Sequence, residues 1–207
     1  MKKSADSETG FDTTRIQALA DGIFAFAMTL LVIDMKDILP HEEGFWLLMA
    51  HLGQKLLYYI LSFLILGLFW TGHQAEFKYI ERTDRLHLWL NIALLMCVAT
   101  IPFSASLLAG DKHKLFSVVV YSCSITFTTA AYLLHWHYAS YKNRLTINTL
   151  SLNIVHDIKK RLIMSNLLSV VALGFSLWNS TVSISLYLLI QLFFVFRTTQ
   201  TKTGAPQ

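Results

Sequence analysis

Charged residues are scarce in this sequence. Only 14% of its 207 residues are Asp, Glu, Lys or Arg, whereas 54% are hydrophobic. An ordinary soluble domain carries about 25% charged residues. The composition therefore excludes a soluble globular protein and predicts an integral membrane protein, for which the lipid bilayer is an obligatory partner.

The sequence also lacks the motifs of metal-binding proteins and enzymes. Its two cysteines, Cys97 and Cys123, lie inside apolar runs and are interpreted as small buried hydrophobic residues. Zinc-ligand spacings, phosphate-binding loops and nucleophile elbows are absent. His135 and His137 could suggest a metal site together with His156, but alternate positions of a helix do not face each other. We predict no enzyme activity, no metal site and no cofactor.

What the sequence does contain is long apolar runs. About 20 apolar residues are needed to cross the hydrocarbon core of a bilayer, and six runs approach or exceed that length: 15–36, 50–74, 86–109, 115–138, 160–178 and 181–198. The runs are continuous, whereas strands of a membrane barrel alternate polar and apolar residues. We therefore predict an all-α domain of six transmembrane helices over residues 15–198, between an N-terminal segment, 1–14, and a disordered tail, 199–207. The first twelve residues are polar and no cleavage site follows the first run, so that helix is expected to stay in the protein.

The basic residues predict the orientation. With the N-terminus inside, 13 of the 17 Lys and Arg residues lie on the cytoplasmic side, as the positive-inside rule requires. Both termini are then cytoplasmic, and the basic loops determine topology rather than bind nucleic acid. Segment 35–55 is the one sizeable external connection and a short amphipathic entry to the second helix. Segment 142–160 is the largest cytoplasmic loop, with an interfacial stretch.

The first helix carries a stripe of uncharged side chains. At about 100° per residue, one side of this helix presents Phe26, Thr29, Leu30 and Ile33, whereas Asp21 falls on the opposite side. Charged and polar groups within a membrane span are costly and must find partners in the protein. For Asp21 the candidate partners are Arg15, Trp70, His73 and Asn91. A structural network that joins helices is favoured over a proton relay or an ion ligand, and His73 could make such a network sensitive to pH.

Three separated motifs then point to a family. The first helix begins Arg15-x-x-x-Leu19-Ala20-Asp21, the second contains Trp70-Thr-Gly-His73, and the third contains Leu88-Trp-Leu-Asn91 followed by Pro102. This pattern resembles the transmembrane protein 175 family of endosomal and lysosomal potassium channels and their bacterial relatives, across all six helices. Leu19 and Ala20 depart from the Phe and Ser of the family motif, so a hydrogen bond made by that serine is missing here.

The resemblance implies a homotetramer whose first helices enclose a pore without a TVGYG filter. It implies that Phe26 forms the narrow hydrophobic point, that Thr29 favours potassium, and that Ile33, with Leu30 nearby, forms a second apolar ring. These positions coincide with the stripe found from helical periodicity. Two simpler interpretations stay open: the apolar residues could be ordinary packing residues, and the Thr29 hydroxyl could bond to a carbonyl one turn back.

The resulting prediction is a potassium-preferring cation leak channel in a bacterial plasma membrane. Monovalent cations are its permeant partners, and apolar rings gate such pores by excluding water. Asp34 and Asp37 lie near the external mouth, where they could concentrate cations or be ordinary solvated charges. The alternatives are a proton-permeable channel on the same scaffold, a secondary transporter, which normally has an internal repeat and broken helices, and an intramembrane enzyme, for which no catalytic pair is present.

Overall fold

A computed structural model describes residues 12–33, 45–109, 114–147, 149–178 and 182–187. Five long helices follow one another: α1, Thr13–Ile33; α2, Phe45–Phe77; α3, Arg85–Ala109; α4, Lys114–Ser140; and α5, Leu152–Ser176. A short helical segment, α6, covers 182–187. Within these ranges the prediction of an all-helical fold is confirmed.

Four of the described helices are long and apolar enough to cross a membrane. These spans are Thr13–Ile33, Leu48–Phe77, Arg85–Ala109 and Lys114–Asn143, and they correspond to the first four predicted spans. The fifth predicted span, 160–178, falls on α5, which begins earlier, at Leu152, and ends at Ser176. The backbone amide of Asn153 donates to the Ser151 hydroxyl, which caps the new helix, as serine commonly does. The predicted loop 142–160 is correspondingly shorter.

The helices pack around one apolar core. α3 lies between α1 and α4, α2 packs against α1 and α3, and α5 packs against α4. Side chains in this core include Phe24, Leu61, Leu94, Val98 and Tyr121. In α1 the buried positions Ala20 and Ala27 are small, which lets neighbouring helices approach α1 closely.

The α2–α3 connection and the α4–α5 connection meet at one end of the bundle. We call this end the basic end because both connections carry Lys and Arg residues. Ile80, in the α2–α3 connection, pairs as an isolated antiparallel bridge with Thr146, in the α4–α5 connection. A second apolar cluster beneath them includes Ile16, Phe77 and Trp136. The start of α1, the end of α2, the start of α3 and the end of α4 are therefore held together. The positive-inside rule predicts that this end is cytoplasmic.

Candidate pore helix and its polar anchors

Helix α1 has one buried face and one exposed face. The buried face consists of Ile16, Ala20, Phe24, Ala27 and Leu31, spaced three and four residues apart. The predicted stripe lies on the other face: Phe26 is 65% exposed, Ile33 is 51% exposed, and Thr29 is exposed. These three side chains are therefore not part of the core of this subunit. They are available to a pore, to a second subunit or to lipid.

Leu30 is half-buried and lies differently from the rest of the stripe. Together with Phe26 it lines an apolar groove of about 420 Å³ between α1 and α3, which Ile92 and Met96 border on the α3 side. At Phe26 and Leu30 the stripe is thus continuous with the exposed apolar surface of α3 at Ile92 and Met96.

Thr29 makes the local hydrogen bond that threonine often makes inside a helix. Its Oγ1 donates to the Phe26 carbonyl oxygen at 2.8 Å. The bond uses the hydroxyl hydrogen and leaves the oxygen lone pairs directed away from that carbonyl. An exposed hydroxyl oxygen in this state can accept a hydrogen bond or a cation.

Asp21 is anchored to α2 by two donors. Trp70 Nε1 donates to Asp21 Oδ1 at 2.8 Å, and Gln74 Nε2 donates to the same oxygen at 2.5 Å. Arg15 is exposed and forms no ion pair with Asp21 within the part of the chain that the structure describes. Gln74 was missed by sequence reasoning, although it lies one turn after Trp70 and so shares its face of α2.

His73 and Asn91 form a second, separate pair that joins α2 to α3. His73 Nε2 lies 2.9 Å from Asn91 Oδ1, and both side chains are fully buried. The Phe24 ring lies beside the imidazole, with centroids 6.0 Å apart. The sequence predicts a single network for Asp21 and its candidate partners. The structure instead brings them together as two pairs, with Arg15 in neither.

A further buried polar group lies next to His73 and was not predicted. Glu76 Oε2 in α2 is 3.0 Å from His135 Nδ1 in α4. The ring of His87 in α3 lies beside that of His135, with centroids 4.3 Å apart and an interplanar angle of 31°. His135, His87 and Glu76 are buried. The sequence signal was present, because each residue falls in or beside a different apolar run, but the runs alone do not say which faces meet.

Asp84 fixes the basic end. Its Oδ1 accepts from the His87 backbone amide at 2.8 Å and caps α3, and its Oδ2 accepts from the Tyr138 hydroxyl at 2.7 Å and lies 3.2 Å from Arg144 Nη2. Partial burial by itself raises the pKa of Asp84. The hydrogen bonds from the tyrosine hydroxyl and the backbone amide, together with the charge of Arg144, outweigh burial, so this pKa lies below its ordinary value of 3.8.

The remaining predicted residues do not add to the site. Asp34 and Asp37 lie outside the described residues. His135 is buried whereas His137 and His156 are exposed, so these three do not converge. No group of three or more potential metal ligands occurs within the described ranges.

These features define a class of protein: a helical membrane protein whose first helix is anchored by polar contacts and presents an apolar, threonine-containing face. The family model for the endosomal/lysosomal potassium channel TMEM175 matches residues 15–102. Residues 15–102 are therefore similar to this family of potassium channels, in agreement with the resemblance of the motifs. Ala20 of this chain is fully buried in the core, where the serine of the family motif would lie.

Three similar proteins illustrate the relationship. A protein of Streptomyces collinus named a potassium channel is 33% identical over 134 residues, which cover 61% of this chain and 64% of that protein. The endosomal/lysosomal proton channel TMEM175 of Gallus gallus is 31% identical over 125 residues, which cover 55% of this chain and 25% of the relative. The crystal structure of a lysosomal potassium-selective TMEM175 homolog from Chamaesiphon minutus superposes with a TM-score of 0.79 at 26% identity, over 89% of this chain and 97% of that one.

Proposed function

We propose that this chain forms a homotetrameric, potassium-preferring cation leak channel. Four copies of α1 would surround the pore, since one helix cannot enclose a channel and closed symmetry is the usual arrangement of identical subunits. The observation that carries the proposal is the exposed face of α1, on which Phe26, Thr29 and Ile33 are turned away from the subunit core. The names of the bacterial relatives support the choice of potassium.

The two kinds of side chain on this face have different roles in the proposal. Rings of Phe26 and Ile33, with Leu30 nearby, exclude water when they are narrow, and an ion cannot give up its hydration shell there. Thr29 offers hydroxyl oxygens that replace part of that shell once the ring widens. Few oxygens are offered, so we expect modest selectivity. Asp34 and Asp37 are proposed to attract cations to the external mouth.

The test of selectivity is ion flux through purified protein in liposomes. Thr29→Ala should lower the preference for potassium over sodium while assembly is retained. Thr100→Ala is the matched control, because Thr100 is also exposed and also donates to a carbonyl three residues earlier, but lies on α3. Selectivity that is equal in the two variants would remove Thr29 from its proposed role.

The test of the gate uses a second matched pair. Phe26→Ala should raise the basal leak, whereas Phe103→Ala, on α3 and 64% exposed against 65% for Phe26, should not. A higher leak from Leu30 or Ile33 substitutions alone would move the gate to those residues. Potassium flux that requires exchange for a second ion would contradict a channel and support a secondary transporter.

Proton permeation is a second candidate function, because the Gallus gallus relative is named a proton channel. A pH-sensitive dye inside the same liposomes distinguishes the two. Acidification without potassium or sodium flux would favour the proton channel. Potassium flux with a stable internal pH would favour the potassium channel.

A further inference from the structure

A second groove lies between α2 and α5 and shares no lining residue with the groove between α1 and α3. It has a volume of about 170 Å³ and is bounded by α2 from Ile65 to Glu76 and by α5 from Arg161 to Ser169. Its floor is α4, against which α5 packs. No residue of the pore-helix stripe contributes to it, so it is a separate feature of the molecule.

The dimensions of the groove match one leaflet of a bilayer. Its α2 wall covers eleven residue steps, from Ile65 to Glu76, which is about 16 Å at 1.5 Å per residue. The hydrocarbon core of a bilayer is about 30 Å thick, so one leaflet contributes about half of that. The walls are mainly apolar, and their apolar side chains include Ile65, Leu68, Phe69, Ile125 and Leu162. A single extended acyl chain suits these walls, whereas a helix, at least 10 Å across with its side chains, is too wide for the cavity.

The charge at one end of the groove identifies the headgroup. Arg161 lines the groove at the basic end and is exposed, and Lys159 and Lys160 precede it on α5. Glu76 lines the same end, but its side chain is only 3% exposed and is hydrogen-bonded to His135. The accessible charge is therefore positive. Basic pockets between transmembrane helices bind anionic lipid headgroups.

We propose that this groove binds an anionic phospholipid from the leaflet at the basic end. One acyl chain lies between α2 and α5, and the phosphate contacts the Arg161 guanidinium, which is suited to bidentate contact with phosphate oxygens. The hydroxyls of Ser165 and Thr129 line the same groove and lie beside the chain. The lipid thus lies between α2 and α5, both of which line the groove together with α4.

The first experiment measures lipid retention by native mass spectrometry of the full chain. Phosphatidylglycerol should remain bound after delipidation at one molecule per subunit, and phosphatidylcholine with the same acyl chains should not. Arg161→Gln should weaken phosphatidylglycerol binding about fivefold, the effect expected of one basic residue at an anionic surface. Lys160→Gln removes the same charge from a neighbouring residue that does not line the groove, and should have a smaller effect. Equal retention of the two lipids, or equal effects of the two variants, would overturn the proposal.

The second experiment blocks the acyl-chain site. Ser165→Phe places a ring in the groove and should abolish retention, whereas Val171→Phe, at a position on α5 that is 50% exposed and outside the groove, should not. Binding that survives Ser165→Phe would refute the site.

A photoactivatable phosphatidylglycerol applied to the unmodified protein gives an answer that does not depend on folding of the variants. Labelling within 65–76 and 161–169 is expected. Labelling confined to other segments, or protection of the groove by a second copy of the chain, would contradict the proposal. These binding measurements do not require the protein to conduct ions, so they stand apart from the test of channel function.

Discussion

Replacing Trp70 by Phe tests whether its hydrogen bond to Asp21 holds α1 against α2. The substitution keeps an aromatic ring and removes the Nε1–H that lies 2.8 Å from Asp21 Oδ1. A hydrogen bond to a charged group contributes about 1.5–3 kcal/mol. Trp70 is 38% exposed and Gln74 still donates to the same oxygen, so the lower value, about 1.5 kcal/mol, applies. For a chain of this size that corresponds to a fall in Tm of about 3–6 °C.

The assay is thermal unfolding in detergent, followed by the loss of the folded peak in size-exclusion chromatography. Trp89→Phe is the matched control, because Trp89 is 62% exposed on α3 and its indole has no hydrogen bond within the described residues. Equal melting temperatures for the two variants would refute the anchoring role of the Trp70–Asp21 bond. Asp21→Asn keeps an acceptor oxygen and should destabilise less than Asp21→Ala; the reverse order would also contradict the reasoning.

Three further outcomes follow from the same structure. Because the pKa of Asp84 is lowered in the folded protein, its carboxylate adds stability above about pH 4, and this stability is lost as the pH falls through the lowered value. The difference in Tm between the native protein and Asp84→Asn should therefore shrink in acid. A difference in Tm that does not change with pH would contradict this prediction. His135→Phe leaves the buried Glu76 carboxyl without its partner and should lower the free energy of unfolding by about 1–3 kcal/mol. Adding Glu76→Gln to the same chain should restore part of that loss, measured by thermal unfolding. Phe24→Ala removes a side chain that is 1% exposed and should lower the free energy of unfolding by about 3–5 kcal/mol in the same assay. If Phe24→Ala destabilised the protein no more than Phe26→Ala, the observed burial of Phe24 would not explain its contribution to stability.

The long helices could be predicted because a helix needs a minimum number of apolar residues to cross the lipid bilayer. Runs such as 86–109 needed only apolar residues to be recognised as spans, and α3 covers Arg85–Ala109. Helix α5 begins earlier than predicted because its first turns are amphipathic rather than continuously apolar. They carry Lys159, Lys160 and Arg161, which interrupt the apolar run, yet Ile158 on the inner side is buried against the cluster at the basic end. An amphipathic helix start is invisible to a search for continuous hydrophobicity.

The partners of the polar residues could be predicted only in part. Periodicity placed Phe26 and Asp21 on different sides of one helix, because it depends only on the helix's own geometry. Pairing between helices depends on relative rotation, which no single run contains. For that reason Trp70 and His73, expected to act together, turn to Asp21 and Asn91 respectively. The contact between Glu76 and His135 lay beyond the sequence for the same reason.

The position of Asp21 along α1 explains how this helix can be fixed at one point and exposed further on. Asp21 precedes Phe26 by five residues, about 7.5 Å along the axis, so its bond to α2 holds α1 on the basic-end side of the exposed stripe. Beyond that point α1 contributes to the core through Ala27 and Leu31, which offer apolar packing and no hydrogen bonds from their side chains. Apolar packing is non-directional, whereas hydrogen bonds fix orientation. In the channel proposed above, we therefore expect α1 to pivot near Asp21 when the pore widens at Phe26 and Ile33.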